Sequence, residues 1–286
     1  IDWKREKTQV EAEAKKGFDG RFGPGLPAIS DGQMLFMLNG VKKLKEGSGR
    51  MAIIQNGSSL FTGDAGSGAS EIRRYVITED LVEAIIQLPT DLFYNTGIST
   101  YIWVLTRGKP MHRSGKVQLI DASKCFVKRR KNIGSKRVDL DDACIELILR
   151  AYEDFDNRAY EENGLIVESK VFDNSFFGFT KVTVETAQAD ATGKPVLKKG
   201  KKQPVKGASD TEIIPLSEDI DSYMEKNVLP YNPLAYIDPA KDKIGYEIPF
   251  TRLFYKFVAP ASSESIFEEI KALEAEETIL MKGLFG

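Results

Sequence analysis

The sequence predicts an α/β layer fold, and three observations point to it. Short, near-continuously apolar runs recur at 50–55, 81–89, 99–107 and 116–122. Helix-period segments separate the first runs, and glycine- or proline-marked connections bound them. An order of helix, strand, helix, strand, strand, strand implies helices layered on a mainly buried sheet.

Residues 4–16 are charged and helix-forming, and they lead into the loop "GFDGRFGPGLP". A helix is expected from Asp31 to Lys45, with Met34, Leu35, Met37, Leu38, Val41 and Leu44 along one side. "RMAIIQ" then has the pattern of a buried strand, and Ser70 is a candidate cap for a helix running to Thr78. "LVEAIIQLP", "STYIWVLTR" and "KVQLIDA" complete the strands of a first region, 1–122. In the second region, 123–262, a basic loop leads to a helix near 139–155, and an aromatic-rich stretch ends in an alternating strand, 179–186. Residues 187–211 carry no apolar period and are expected to be a flexible Lys-rich loop. A helix near 217–227 follows, and a final helix occupies 263–286.

At 286 residues with 42% hydrophobic and 29% charged content, the chain reads as a soluble globular protein. No apolar run reaches the roughly 18 residues of a spanning helix, so no membrane role is expected and the cytoplasm is the expected location. Cys125 and Cys144, the only cysteines, form no C-x-x-C, and His112 is the sole histidine. No metal site and no histidine-based triad is expected from them. The net charge of −2 hides a separation of signs. Seven basic residues and no acid lie between Lys124 and Arg137, and six lysines lie between Lys194 and Lys206. Six glutamates lie between Glu264 and Glu277.

"IIQNGSSLFTGDAGSGASEIRRYVI", 53–77, raises the question of a phosphate cradle. Its glycines complete neither a Walker motif nor a dinucleotide fingerprint, so a connecting loop is the favoured reading. Lys128, Arg129, Arg130 and Lys131 are candidate phosphate contacts, with Arg73 and Arg74 beside the glycine loop. In the last helix Ile266, Ile270, Leu273, Leu280 and Leu284 follow an a/d rhythm if Glu277 is counted, a seam for a partner helix.

Several segments in order resemble the modification subunit of type I restriction–modification systems, an adenine-N6 DNA methyltransferase that uses S-adenosylmethionine. They are "DGQMLFMLNGVKKLKEGSGRMAIIQNGSSLFTGDAGSGASEIRRYVI", "LVEAIIQLPTDLFYNTGISTYIWVLT", "KVQLIDAS", "VLPYNPLAYID" and "GYEIPFTRLFYKF". The resemblance implies the C-terminal half of a Rossmann-like methyltransferase sheet, followed by a mixed, mainly helical C-terminal region. The family's glycine-rich cofactor motif and its Asn-Pro-Pro-Tyr/Phe motif would lie upstream of Ile1. No catalytic residue is therefore expected in this chain, tight cofactor binding is not expected, and residues 1–286 alone should be inactive. By the same resemblance, Phe93, Tyr94 and Asn95 are expected to border the flipped target base. Double-stranded DNA, a specificity subunit and a motor/nuclease subunit are the implied partners, with the 263–286 helix docking on the specificity subunit. The alternative is a non-catalytic module that binds DNA or the specificity subunit. An unrelated nucleotide-binding α/β protein would rest on the glycine loop alone.

Overall fold

The computed structural model describes residues 2–257 and 259–285, and the side chains of the last helix through residue 283. The chain divides into two compact units, Ile1–Phe250 and Thr251–Gly286.

The first unit begins with helices α1 (Lys7–Ala14) and α2 (Gln33–Lys43), strand β1 (Arg50–Asn56), and helices α3 (Ser58–Phe61) and α4 (Gly68–Thr78). Strands β2 (Val82–Gln87), β3 (Thr100–Thr106), β4 (Lys116–Lys124), β5 (Val127–Ile133) and β6 (Lys136–Asp139) follow. After α5 (Asp142–Asp154) come β7 (Arg158–Glu162), β8 (Leu165–Asp173) and β9 (Gly178–Ala187). Then come β10 (Leu197–Lys198), β11 (Lys201–Lys202), β12 (Pro204–Pro215), α6 (Ile220–Asn227), β13 (Ala235–Ile237) and β14 (Lys243–Tyr246).

The main sheet has the order β1-β3-β2-β4-β8-β7. Only β2 and β4 run parallel, and every other neighbouring pair is antiparallel. Its central strand β2 is buried over Val82–Ile86, as a run apolar at every position but Glu83 requires. On one face Ile86, Ile120 and Ala122 pack against Cys144, Leu147, Ile148 and Ala151 of α5. On the other, the Trp103 indole N–H donates to Ser59 Oγ of α3 at 3.1 Å. Trp3, Val10 and Phe22 close over Met34, Leu35 and Leu38 of α2 and Ile72 of α4. Helices on both faces make this a mixed α/β layer fold, as expected. A second sheet, β12-β9-β13 with β14 also on β9, packs Val182, Val184 and Ile214 against Met224 and Val228.

Four expectations change. Strand β1 is an edge strand rather than a buried one: it pairs only with β3, and Ile54 is 50% exposed. The expected boundary at 122 falls inside β4, and the sheet continues through β8 and β7. The cap of α4 is Ser67, whose side chain accepts from the Ser70 N–H, rather than Ser70 itself. The expected loop 187–211 holds β10, β11 and most of β12. Most of its residues are exposed, so no hydrophobic alternation marked the strands in the sequence.

The second unit contains α8 (Ser263–Phe285), which follows the short α7 (Phe250–Phe254) spanning the boundary between the units. Among the described residues no helix is long and apolar enough to cross a membrane.

Candidate nucleic-acid interface

Strand β2 ends at Gln87, and the chain then runs through "LPTDLFYNTGIS" before entering β3. The loop therefore sits at the carboxyl ends of the parallel strands β2 and β4, where open α/β sheets place their ligands. Phe93 is half-buried and bridges to Thr96, Asn95 is exposed, and Tyr94 is 62% exposed.

The basic segment after β4 is a hairpin, β5–β6, and it docks on this same loop. The Ser135 N–H donates to the Tyr94 carbonyl at 2.8 Å, and the Arg137 N–H donates to the Asp91 carbonyl at 2.8 Å. Gly134 has φ +59, and a β-carbon there would collide with the Tyr94 carbonyl, so the approach needs glycine. Lys136 Nζ lies 5.4 Å from the Tyr94 ring centroid and pairs with Asp139 at 2.9 Å. A hydrogen bond from Lys136 and the nearby Arg129 charge hold the Asp139 carboxyl below the usual range. Arg129 is half-buried and bonded to Asp139, whereas Lys128, Arg130, Lys131 and Arg137 project into solvent. Residues 93–95 and 128–131, singled out for different reasons, thus lie on two elements in direct contact. An aromatic ring can stack a base, and cations on an adjoining element can hold phosphates.

The expectation for Arg73 is overturned. Its side chain is 1% exposed and is committed to backbone carbonyls: Nε donates to Tyr246 at 2.6 Å, and Nη1 to Thr62 at 3.0 Å and Ser59 at 3.3 Å. Burial lowers its pKa to about 10. No phosphate reaches it. Arg74, one position on, is exposed and paired with Glu71 at 3.4 Å.

The glycine loop is packed at its junction with α4. Any β-carbon on Gly68 would collide with the Leu26 backbone, so the 20s loop covers the start of α4. The Gly66 N–H, at φ +74, donates to the Ile244 carbonyl at 3.1 Å, and Ala65 is buried. Asp64 pairs with Lys181 at 2.8 Å. Gly68 thus serves close backbone packing and Gly66 a turn.

A polar cluster that the sequence reading missed lies at the end of β1. Gln33 Nε2 donates to Asp31 at 2.8 Å and Asn56 at 2.8 Å, and Ser58 Oγ donates to Asp31 at 2.6 Å. Although burial alone would raise it, the hydrogen bonds from Ser58 and Gln33 hold the Asp31 carboxyl below its usual range. Asn56 pairs with Thr100, whose carbonyl accepts from the Leu88 N–H at 2.8 Å, so the cluster borders the same loop. Among the described residues the buried Gln55 Oε1 and Thr100 Oγ1 have no hydrogen-bond partner. The available signal was polar side chains following an apolar run at a carboxyl strand end. At the opposite end of the sheet a network joins the buried Glu83 to the exposed Arg50 at 3.0 Å and to the half-buried Tyr152 hydroxyl, with the buried Arg113 stacked 4.4 Å from the Tyr152 ring. Burial and Glu83 push that hydroxyl up to about 12. His112 lies edge-on to Phe155 with ring centroids 5.8 Å apart.

On the second unit, Ile266, Ile270, Leu273 and Leu280 are 46%, 47%, 59% and 62% exposed, an apolar seam open to solvent. The Leu284 side chain falls outside the described residues.

A family model described as N-6 DNA Methylase matches residues 2–186. The type I restriction enzyme MjaVIII methylase subunit of Methanocaldococcus jannaschii is 34% identical over 106 residues, 37% of this chain and 18% of its own length. The HindI methylase subunit of Haemophilus influenzae is 29% identical over 185 residues, 63% of this chain and 40% of its own. The solved methyltransferase subunit of a type I restriction-modification system from Streptococcus thermophilus aligns over 55% of this chain and 30% of its own, at 30% identity and a TM-score of 0.46. The chain thus spans less than half the length of these relatives.

Proposed function

Because this chain belongs to the N-6 DNA methylase family, we propose that it works as part of a type I modification subunit that methylates adenine N6 in duplex DNA. The observation that carries this reading is the docking of the basic hairpin β5–β6 on the 91–94 backbone, which sets Lys136 beside the Tyr94 ring and puts the exposed cations of the hairpin on the element docked against that loop. A base methyltransferase must draw its target out of the stack, hold the unstacked ring on an aromatic face, and grip the strained backbone on either side. Tyr94 serves the second task, with Phe93 and Asn95 walling the pocket, and Lys128, Arg130 and Lys131 serve the third.

The family's methyl donor, S-adenosylmethionine, is not assigned to residues of this chain. The Leu26 backbone packs against Gly68 at the start of α4, and no Asn-Pro-Pro-aromatic motif occurs within residues 1–286. This chain supplies the DNA-facing wall of the site, and its part in the reaction is to orient the base and the backbone.

The role of Tyr94 is tested in a fusion of these residues to the cofactor-binding half of the Haemophilus relative. Stacking contributes about 1–3 kcal/mol per base, so Tyr94→Ala should lower adenine methylation roughly 5- to 150-fold while Tyr94→Phe keeps most of it. The melting temperature should move little, since the ring is largely exposed. Equal losses in melting and methylation would mean that Tyr94 is structural.

The exposed seam of α8, flanked by glutamates, is proposed to dock on the specificity subunit of a complex that also holds a motor/nuclease subunit. An apolar stripe of this length gains burial from a partner helix. Deleting residues 263–286 should abolish co-purification with a cognate specificity subunit. Undiminished co-purification would reject this docking.

A further inference from the structure

Residues 188–206 form a projecting β-arm. Its base is held by backbone bonds from Val196 to Gln188 and from Gln188 to Gln203, each 2.7 Å, and its tip is the short hairpin β10–β11. The tip turns on Lys199 and Gly200, at φ +50 and +74, the left-handed pair that a tight two-residue hairpin requires. Asp190 is spent on its own turn, accepting from the Thr192 and Lys194 N–H groups. From 191 to 209 there is no acid at all.

Six lysines stand on this arm, Lys194, Lys198, Lys199, Lys201, Lys202 and Lys206, and all are exposed. Among the described residues none has an acidic partner, and Lys202 lies 5.2 Å from the Tyr236 ring centroid. Lys198 and Lys201 are direct cross-strand partners. Like charges placed opposite each other destabilise a hairpin, and in a chain of net charge −2 a neutralising acid at either position would remove the repulsion. The arm is folded around a repulsion that an external polyanion would relieve.

We propose that this arm grips the sugar-phosphate backbone of duplex DNA, independently of sequence. The inference rests on the DNA-methylase reading and adds a second contact to it, separate in sequence from β5–β6. Phosphate contact fits the composition better than a protein partner does. Protein interfaces are depleted in lysine and built on aromatic and arginine anchors, whereas among the described residues the arm's only large exposed apolar side chains are Leu197 and Val205. Lysines on both strands and at the tip suit a charged rod whose counterions they displace.

The test measures binding of the 286-residue chain to a labelled duplex by fluorescence anisotropy between about 50 and 200 mM salt. K198Q/K199Q/K201Q should flatten the slope of log K against log salt by about 2 to 3, while the three Lys→Arg changes keep it. Circular dichroism and melting should be those of the parent, because the side chains are exposed. A parent-like slope in the Gln variant overturns the proposal. If the parent binds DNA and only K128Q/R130Q/K131Q flattens the slope, the arm proposal fails while the DNA reading stands. A parent with no salt-dependent DNA binding sinks both. A Gln variant that binds DNA normally but loses its specificity subunit would reassign the arm to an acidic protein.

Discussion

Replacing Arg73 by Ala is expected to destabilise the chain by about 3–5 kcal/mol, enough to unfold a marginal domain. The guanidinium ties α4 to the carbonyls of Ser59 and Thr62, just after β1, and to Tyr246 at the end of β14. Removing it leaves three carbonyls without their donor, each costing about 1–3 kcal/mol if buried and unmatched, and opens a cavity beside Ile72 and Val76. Relief of the desolvated charge offsets part of this. Lysine cannot reproduce the divergent Nε and Nη1 geometry, so Arg73→Lys should recover little. Arg74→Ala removes only a surface pair with Glu71 and should cost less than about 0.5 kcal/mol. Urea unfolding of the three variants decides it: a cost for Arg73→Ala below about 1 kcal/mol would contradict the assigned structural role.

Arg73 also shows what could be read in advance and what could not. Positions 69, 72, 73, 76 and 77 form one helical stripe, and all five are buried. The period thus marked Arg73 as inward and Arg74 as outward, but the basic character of both drew attention first. The strands around Val82–Gln87, Thr100–Thr106 and Lys116–Lys124 were legible because strands buried in a sheet's centre must be apolar along most of their length. Strand β1 read the same way yet is an edge, since apolarity reports burial potential and not the number of neighbours. The arm at 188–206 was invisible for the reverse reason: short strands in solvent need no apolar alternation.

For the candidate site, the sequence marked two ingredients separately, the aromatics at 93–94 and the cations from 128 onward. Their meeting depends on Gly134 approaching the Tyr94 carbonyl and on two backbone hydrogen bonds, from Ser135 and Arg137. Nothing local in residues 91–94 announces that their carbonyls will be acceptors for a hairpin some forty residues later. The Asp31–Gln33–Asn56–Ser58 cluster was missed because its members are ordinary polar residues whose significance comes from sharing one end of the sheet.

The second large effect concerns the chemistry. The proposal assigns this chain the wall that receives the base, and assigns the cofactor and the Asn-Pro-Pro-aromatic segment to residues outside 1–286. Methyl transfer should therefore be all-or-none with respect to what is joined to it. Enzymatic enhancements of 10⁶-fold and more depend on holding donor and acceptor together, and a wall alone holds only one of them. On the same proposal the cations of β5–β6 should still bind DNA in isolation, so binding and turnover are expected to separate.

The most direct measurement incubates duplex DNA with labelled S-adenosylmethionine and scores N6-methyladenine, for the 286-residue chain alone and for its fusion to a cofactor-binding half, each with a specificity subunit present. The account predicts no product above background from the chain alone and N6-methyladenine from the fusion. Product from the chain alone, or methylation by the fusion at a base position other than adenine N6, would contradict it.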